Sequence, residues 1–213
     1  MNKITFVIFD LDDTLLKSNI NYRKIKIDLI KLIGETKIYN KINPDEITIN
    51  ELLQDINQQY SEKFVQARDI VNNHELRASL SAEILPFANK IPEILRKNNI
   101  GSAILTNNSA ETVKTYLENI KFNYLQHFGK IYTRDDIKEM KPNPTGILTI
   151  LRDFALEKEK AVYIGDSHID CLASMRAGIK FILLNSRKLS LKAFNCKPWK
   201  IIENLEEFQS ILN

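Results

Sequence analysis

A short apolar run that ends abruptly in carboxylates is the feature that most constrains this chain. Residues 4–9 are mainly β-branched and aromatic, and Asp10, Asp12 and Asp13 follow at once. Such a run predicts a buried parallel strand, and open α/β sheets bind ligands at the carboxyl ends of their strands. Crowded acids need a compensating positive charge. We therefore expect a divalent cation here, accompanied by a phosphorylated ligand.

Composition narrows the class of protein. The 213 residues suit one α/β domain with a modest insertion, and the net charge of +3 arises from interspersed charges of both signs. This pattern predicts neither a nucleic-acid nor a membrane surface. The sequence has no signal-peptide pattern and no apolar run of about 18 residues. Cys171 and Cys196 predict no disulfide framework, so we expect a cytoplasmic protein; the oligomeric state is not indicated.

The periodicity of apolar residues divides the chain into two kinds of segment. Residues 17–83 show helical periodicity and almost no strand signal, which we interpret as a small all-helical cap domain inserted after the first strand. Residues 1–16 and 84–213 form the predicted core, with 185–198 as a loop. Its later strand signals lie at 102–105, 130–132, 161–164, 180–184 and 200–202. Helical patterns separate most of these strands, which predicts an α/β fold with a parallel sheet.

The spacing of the first acids suits covalent phosphoryl chemistry. Asp10 and Asp12 are two positions apart, so both side chains can lie on one side of an extended backbone. One carboxylate could attack phosphorus, and the other could protonate the leaving oxygen and then activate water. A lone Asp-x-Asp pair is more often a solvated turn. Here a buried strand precedes the pair and Thr14 follows it, which favours the chemical interpretation.

The end of the second core strand could bind phosphate. Thr106 offers a hydroxyl, and Asn107 follows it in the segment that leads into a helix predicted from about residue 110, where backbone amides can also bind an anion. For Asn108 and Ser109, which come next, the favoured interpretation is a helix cap.

Two further segments offer a cation and more carboxylates. Lys141 lies in a Lys-Pro-Asn-Pro sequence, whose prolines stiffen the backbone around an ammonium that could neutralise a phosphoryl group. Gly165 and Asp166 end another strand, and Asp170 follows four positions later, a spacing that suits Mg²⁺ ligands at a helix start. His168 has no partner implied by the sequence, and we expect it at the rim of the site.

Together the four motifs resemble those of the haloacid dehalogenase-like hydrolase superfamily. They are Asp-x-Asp-x-Thr after the first strand, a threonine after the second, a lysine before proline, and Gly-Asp-x-x-x-Asp. The position of the helical insertion is similar to that of the phosphoglycolate phosphatase-like branch. The resemblance implies a Rossmann-like, doubly wound parallel sheet core and a mobile cap that closes over the substrate.

The resemblance also implies a role for each motif residue. Asp10 would be the nucleophile and Asp12 the general acid and base. Thr106 and Lys141 would hold the phosphoryl group, and the position of Asn107 after the second strand makes it a further candidate for phosphate binding. Magnesium would be bound by Asp10, the backbone carbonyl of Asp12, Asp166 and, directly or through water, Asp170.

From these roles we expect a Mg²⁺-dependent phosphatase that hydrolyses a small phosphorylated metabolite through an aspartyl phosphate. Dehalogenases of the superfamily lack an acid at the position of Asp12. A sugar phosphomutase remains an alternative, although such relatives usually carry glycine at the position of Asp13. A binding or regulatory protein without turnover is the other alternative, and the complete motif set argues against it. The sequence does not indicate the substrate.

Overall fold

The computed structural model describes residues 3–34, 43–44, 46–186 and 196–212. The chain divides into two compact units, Met1–Ser18 with Ala82–Asn213, and Asn19–Ser81. Most of the predicted loop at 185–198 lies outside the described residues. Within the described ranges, no helix combines the length and the apolar composition that spanning a membrane requires.

Among its described residues, the smaller unit contains three α-helices. They are α1 (Tyr22–Ile33), α2 (Ile49–Gln59) and α3 (Phe64–Ser79). Their apolar faces form one core, to which Ile25, Leu29 and Ile56 each contribute a fully buried side chain. The α2 helix begins with a capping box, in which Thr48 and Glu51 each accept a hydrogen bond from the other's backbone amide.

In the part of the chain that the structure describes, the larger unit contains eight strands. They are β1 (Phe6–Phe9), β2 (Leu16–Lys17), β3 (Glu83–Ile84), β4 (Gly101–Leu105), β5 (Ile131–Tyr132), β6 (Ala161–Gly165), β7 (Lys180–Leu184) and β8 (Lys200–Ile202). Six of them form a parallel sheet in the order β5-β4-β1-β6-β7-β8, which confirms the predicted α/β fold. The remaining two, β2 and β3, pair antiparallel where we predicted no strand.

The position of β1 explains where a site can form. The strand lies between β4 and β6, and Phe9 is in register with Ile104 on one side and Ile164 on the other. The chain builds the sheet outward from β1 in both directions, so β1 lies at the topological switch point. In such sheets the crevice at the carboxyl ends of the central strands is the usual ligand site.

Helices cover both faces of this sheet. They are α4 (Ile91–Lys97), α5 (Ala110–Glu118), α6 (Thr145–Asp153), α7 (His168–Ala177) and α8 (Phe208–Leu212). Alternate residues of β1 enter opposite cores: Val7 and Phe9 pack with α4, α5 and α8, whereas Phe6 and Ile8 pack with α6 and α7. Burial on both faces accounts for the continuous apolar run that precedes the acids.

The prediction that the two cysteines form no disulfide is wrong. Cys171 of α7 and Cys196 are joined, with their Cα atoms 6.2 Å apart. Both contact the core that α6 and α7 share with the sheet. They are 25 positions apart and lie in no recognisable motif, so only the packing of the larger unit brings them together.

The aromatic contacts of β1 generate a stability prediction. Phe9 is fully buried, and its ring packs edge-on against Phe128 and Phe208 at centroid distances of 5.3 and 5.9 Å. We expect Phe9→Ala to lower the free energy of unfolding by about 3–5 kcal/mol, measured by urea unfolding, because it leaves a large cavity. Phe154→Ala, at a side chain 36% exposed, is the matched control. An equal loss in both variants would contradict the prediction.

Candidate active site

Three strand ends bring polar side chains to one edge of the sheet. Asp10 follows β1, Thr106 follows β4 and Asp166 follows β6, and all three are buried. The backbone continues the sheet to this point, since the amide of Asp10 donates to the carbonyl of Ile164 (2.8 Å) and that of Thr106 to the carbonyl of Tyr132 (2.9 Å). The site is therefore attached directly to the ends of the central strands of the sheet.

Three carboxylates at this edge form a compact acidic cluster. Asp10, Asp166 and Asp170 each offer an oxygen, and these oxygens lie within 4.8 Å of one another. Burial raises the pKa of Asp10 well above its ordinary value; Lys141 opposes this rise, and the charges of the other acids, including Asp12, add to it. Hard oxygen donors in a charge-crowded setting fit Mg²⁺, which would offset the surplus negative charge.

A buried ammonium lies against this cluster. Lys141 Nζ lies within hydrogen-bond distance of four acceptors, which are Asp10 Oδ1 (2.5 Å), Asp170 Oδ1 (2.7 Å), the Tyr163 hydroxyl (2.9 Å) and the Leu105 carbonyl (3.1 Å). Burial alone would lower its pKa, but the two aspartates outweigh burial and raise the pKa above its ordinary value. Lys141 therefore stays charged, and it connects the end of β1 to helix α7.

Tyr163 is a member of this site that the sequence analysis missed. Its hydroxyl accepts from Lys141 and lies 3.2 Å from both the Leu105 carbonyl and Asp170 Oδ1. Burial, followed by the charges of Asp170 and Asp10, raises the pKa of the phenol well above its usual range, so the hydroxyl remains a donor. A tyrosine within the otherwise aliphatic β6 was the available signal.

Asn107, a predicted phosphate contact, holds the segment that carries the lysine. Its side-chain amide donates to the Lys141 carbonyl (3.0 Å) and its side-chain oxygen accepts from the Lys141 backbone amide (3.2 Å). Its own carbonyl accepts from Arg134 (2.9 Å). The side chain of Asn107 thus joins the end of β4 to the Lys141 segment.

The start of α7 fixes Asp170. Ser167 caps the helix, and both its hydroxyl and its backbone amide donate to Asp170 Oδ2, while Oδ1 accepts from Lys141. Gly165 makes this approach possible, because a Cβ atom there would lie 2.6 Å from the Asp170 carboxylate. His168 is exposed at the first position of α7.

Asp12 lies in a different environment from Asp10. Its Oδ2 accepts from the side-chain amide of Asn108 (2.6 Å) and its Oδ1 from the hydroxyl of Tyr116 (3.3 Å). Ser109 rather than Asn108 caps α5, where it accepts from the Thr112 amide (3.2 Å). The role of Asn108 as a hydrogen-bond donor to Asp12 was not predicted from the sequence, and Tyr116 was not predicted at all.

A tight turn follows Asp12. The amide of Leu15 donates to the carbonyl of Leu11 (2.9 Å), and Asp13 adopts a left-handed conformation with φ of 55°. The hydroxyl of Thr14 is buried and has no hydrogen-bond partner among the residues that the structure describes. Backbone hydrogen bonds therefore close the turn.

Comparison with known sequences identifies a family and its relatives. The family model for haloacid dehalogenase-like hydrolases matches residues 7–184. A phosphoglycolate phosphatase of Aquifex aeolicus is 28% identical over 83% of both chains. Pyrophosphatase PpaX of Bacillus cereus is 27% identical over 99% of this chain and 97% of its own. A phosphoglycolate phosphatase of Photorhabdus laumondii is 29% identical over 49% of this chain. The match spans less than half (44%) of that relative's own length.

Comparison with solved structures supports the fold. A hydrolase from Pseudomonas syringae superposes with a TM-score of 0.74 at 23% identity, covering 97% of both chains. The HAD-hydrolase YfnB of Bacillus subtilis, solved with bound magnesium, gives a TM-score of 0.69 at 19% identity and full coverage of both chains. At these identities the likeness concerns the fold alone.

The close approach at Gly165 generates a prediction for the site. We expect Gly165→Ala to lower kcat/KM for p-nitrophenyl phosphate at least about tenfold, because the new methyl group displaces Asp170 and with it Lys141. Gly101→Ala is the control, since its Cβ would meet the Phe6 ring at the same 2.6 Å at the opposite end of the sheet. Both variants should lose stability, about 1–3 kcal/mol by urea unfolding. The same kinetic loss in both would contradict the prediction.

Proposed function

The chain belongs to the haloacid dehalogenase-like hydrolase family, as its motifs predicted, and we propose that it is a Mg²⁺-dependent phosphatase acting through an aspartyl phosphate. The observation that carries the proposal is the buried contact of Lys141 with Asp10 and Asp170 beside Asp166. A buried lysine that contacts a single carboxylate would be interpreted as a structural ion pair. One lysine among three carboxylates, at the switch point of the sheet, suits the transfer of a charged phosphoryl group.

In the first step Asp10 is the nucleophile. One of its oxygens forms a bond to phosphorus while the bond from phosphorus to the leaving oxygen breaks. The leaving oxygen takes the bonding electron pair, together with a proton from the carboxyl group of Asp12. Lys141, already paired with Asp10, neutralises charge on the phosphoryl oxygens, to which Thr106 and the backbone of Asn107 also donate.

In the second step water hydrolyses the aspartyl phosphate. Asp12, now ionised, takes a proton from the water as the water oxygen attacks phosphorus. The bond between phosphorus and Asp10 breaks, inorganic phosphate leaves and both aspartates return to their starting states. The same Asp12 carboxyl group therefore acts as acid and then as base.

The residues that would hold magnesium are those of the acidic cluster. They are Asp10, Asp166 and Asp170, together with the backbone carbonyl of Asp12. When bound, the ion supplies positive charge that stabilises the phosphoryl group in transfer. Asp170 would contribute directly or through water, because its two oxygens already lie within hydrogen-bond distance of four donors, from Lys141, Tyr163 and Ser167.

The substrate is proposed as a small phosphorylated metabolite that residues 17–83, acting as a cap, would select. Inorganic pyrophosphate is a second candidate, because the similarity to pyrophosphatase PpaX extends over 99% of this chain. Phosphate release from a panel of phosphoglycolate, pyrophosphate, nucleoside monophosphates and sugar phosphates separates these substrates. Isomer formation from a hexose 1-phosphate, without phosphate release, would instead indicate a phosphomutase.

We also propose that the protein works in the cytoplasm, where such metabolites occur. This location requires that activity survive reduction of the disulfide between Cys171 and Cys196, because reducing compartments keep thiols free. Assays with and without dithiothreitol test the requirement.

The nucleophile gives the most direct prediction. We expect Asp10→Asn to abolish hydrolysis of p-nitrophenyl phosphate, since an amide cannot form the covalent intermediate. Asp13→Asn is the matched control, because it removes an adjacent carboxylate from a left-handed position that asparagine also tolerates. It should retain turnover. Near-normal turnover by the Asp10 variant would refute the mechanism.

Magnesium binding gives a prediction that does not depend on activity. A saturating ion should raise the thermal midpoint, because at a hundred times its Kd it increases the free energy of unfolding by about 2.7 kcal/mol. We expect Asp166→Asn to lose this shift, while its midpoint without magnesium is unchanged or higher because the cluster is less crowded. Asp13→Asn should keep the shift. An equal magnesium shift in the Asp166 variant would contradict the proposed site.

A further inference from the structure

Both carboxylate oxygens of Asp12 are held by neutral, buried donors. Asn108 Nδ2 lies 2.6 Å from Oδ2, and the hydroxyl of Tyr116 lies 3.3 Å from Oδ1. Asn108 and Tyr116 are almost completely inaccessible to solvent. A buried carboxylate with two buried donors has one preferred orientation, because rotation about its side-chain bonds would break both hydrogen bonds.

The Asn108 donor is itself fixed on two sides. Its backbone amide donates to Thr106 Oγ1 (3.1 Å), and its carbonyl accepts from the backbone amide of Arg134 (2.9 Å). The side-chain amide is therefore aimed from the end of β4, the strand beside β1. A displacement of Asn108 would have to move the residue that ends β4 as well.

The Tyr116 donor is fixed by packing. Its side chain lies in the core between α5 and the sheet, and its ring meets Phe122 edge-on at a centroid distance of 5.7 Å. The phenol cannot swing away from Asp12 without opening a cavity in a close-packed interior. Both donors are thus set in place before any ligand binds.

We infer that Asn108 and Tyr116 are positioning residues, which hold the carboxyl group of Asp12 so that its proton reaches the leaving oxygen. This inference rests on the proposed function, in which the bond from phosphorus to the leaving oxygen breaks as Asp12 protonates that oxygen. A protonated carboxyl group can accept hydrogen bonds from Asn108 and Tyr116 and still carry its transferable proton. Loss of either donor lets the carboxyl group of Asp12 rotate. The resulting loss in kcat/KM should be larger for a leaving group that depends more strongly on protonation.

Two aryl phosphates of similar size test this dependence. The p-nitrophenolate leaving group is stable without a proton, whereas phenolate is far more basic and depends on protonation. The quantity to compare is kcat/KM, because it reports on the steps up to the first phosphoryl transfer. We expect Tyr116→Phe to lower kcat/KM for phenyl phosphate about tenfold or more, and that for p-nitrophenyl phosphate less than about twofold. Asn108→Ala should show the same selectivity, and it provides a second test if one variant folds poorly.

Tyr132→Phe is the matched control. Tyr132 is also a buried tyrosine whose hydroxyl donates to a carboxylate, that of Asp153, at 2.8 Å. It lies outside the proposed machinery, so its loss should leave the ratio of the two kcat/KM values unchanged. Equal losses on both substrates in the Tyr116 and Asn108 variants, or no loss, would show a purely structural role and overturn the inference.

Asp12→Asn separates failure of the inference from failure of the proposed function. If it preferentially loses phenyl phosphate hydrolysis while the Tyr116 and Asn108 variants do not, Asp12 remains the acid and the positioning role alone is refuted. If it shows no selectivity, or if the unmodified protein with Mg²⁺ hydrolyses neither ester, the proposed function fails and the inference fails with it.

Discussion

The buried contact between Lys141 and two aspartates is the interaction on which the site depends. Asp10 and Asp170 would repel each other across a desolvated space, and the ammonium between them compensates that repulsion. Removing one partner of such a pair typically costs about 3–5 kcal/mol, because it leaves a buried charge uncompensated. The neighbouring contacts of Asn107 and Ser167 hold the participants of this pair in place.

The two aspartates that follow β1 have separate surroundings, although only one residue lies between them. Asp10 meets a cation and further carboxylates, whereas the side chain of Asp12 meets an amide and a phenol. Two carboxyl groups in one site perform different chemistry when their environments differ. Asp10 directly follows β1, whereas Asp12 lies within the turn that the Leu11 carbonyl and the Leu15 amide close, so the two acids meet different neighbours.

The residues of this site that could be predicted from the sequence are mainly those that directly follow a strand. An apolar run followed at once by Asp10, Thr106 or Asp166 is a local signal, and the parallel topology then places the strand ends side by side. Asn108 and Tyr116 escaped prediction because they lie 96 and 104 positions from Asp12, and no periodicity encodes such a pair.

Other features escaped prediction for related reasons. Tyr163 adds one hydroxyl group to a buried strand. The apolar pattern of that strand predicts a strand, but it does not indicate that the hydroxyl contacts Lys141. The β2–β3 pair has two residues on each side, too few for an alternating pattern. The disulfide depends on packing between segments 25 positions apart.

The central place of β1 in the sheet has a consequence for the chain as it is synthesised. Its partners are residues 101–104 and 161–164, so one edge of this apolar strand stays unpaired until about half of the chain has left the ribosome, and the other until about three quarters has. The helices within residues 19–81 have their own core and short-range contacts, and they can form earlier. A nascent chain can therefore expose an unpaired apolar strand after the helical unit has folded, and such a strand is prone to aggregation during that interval.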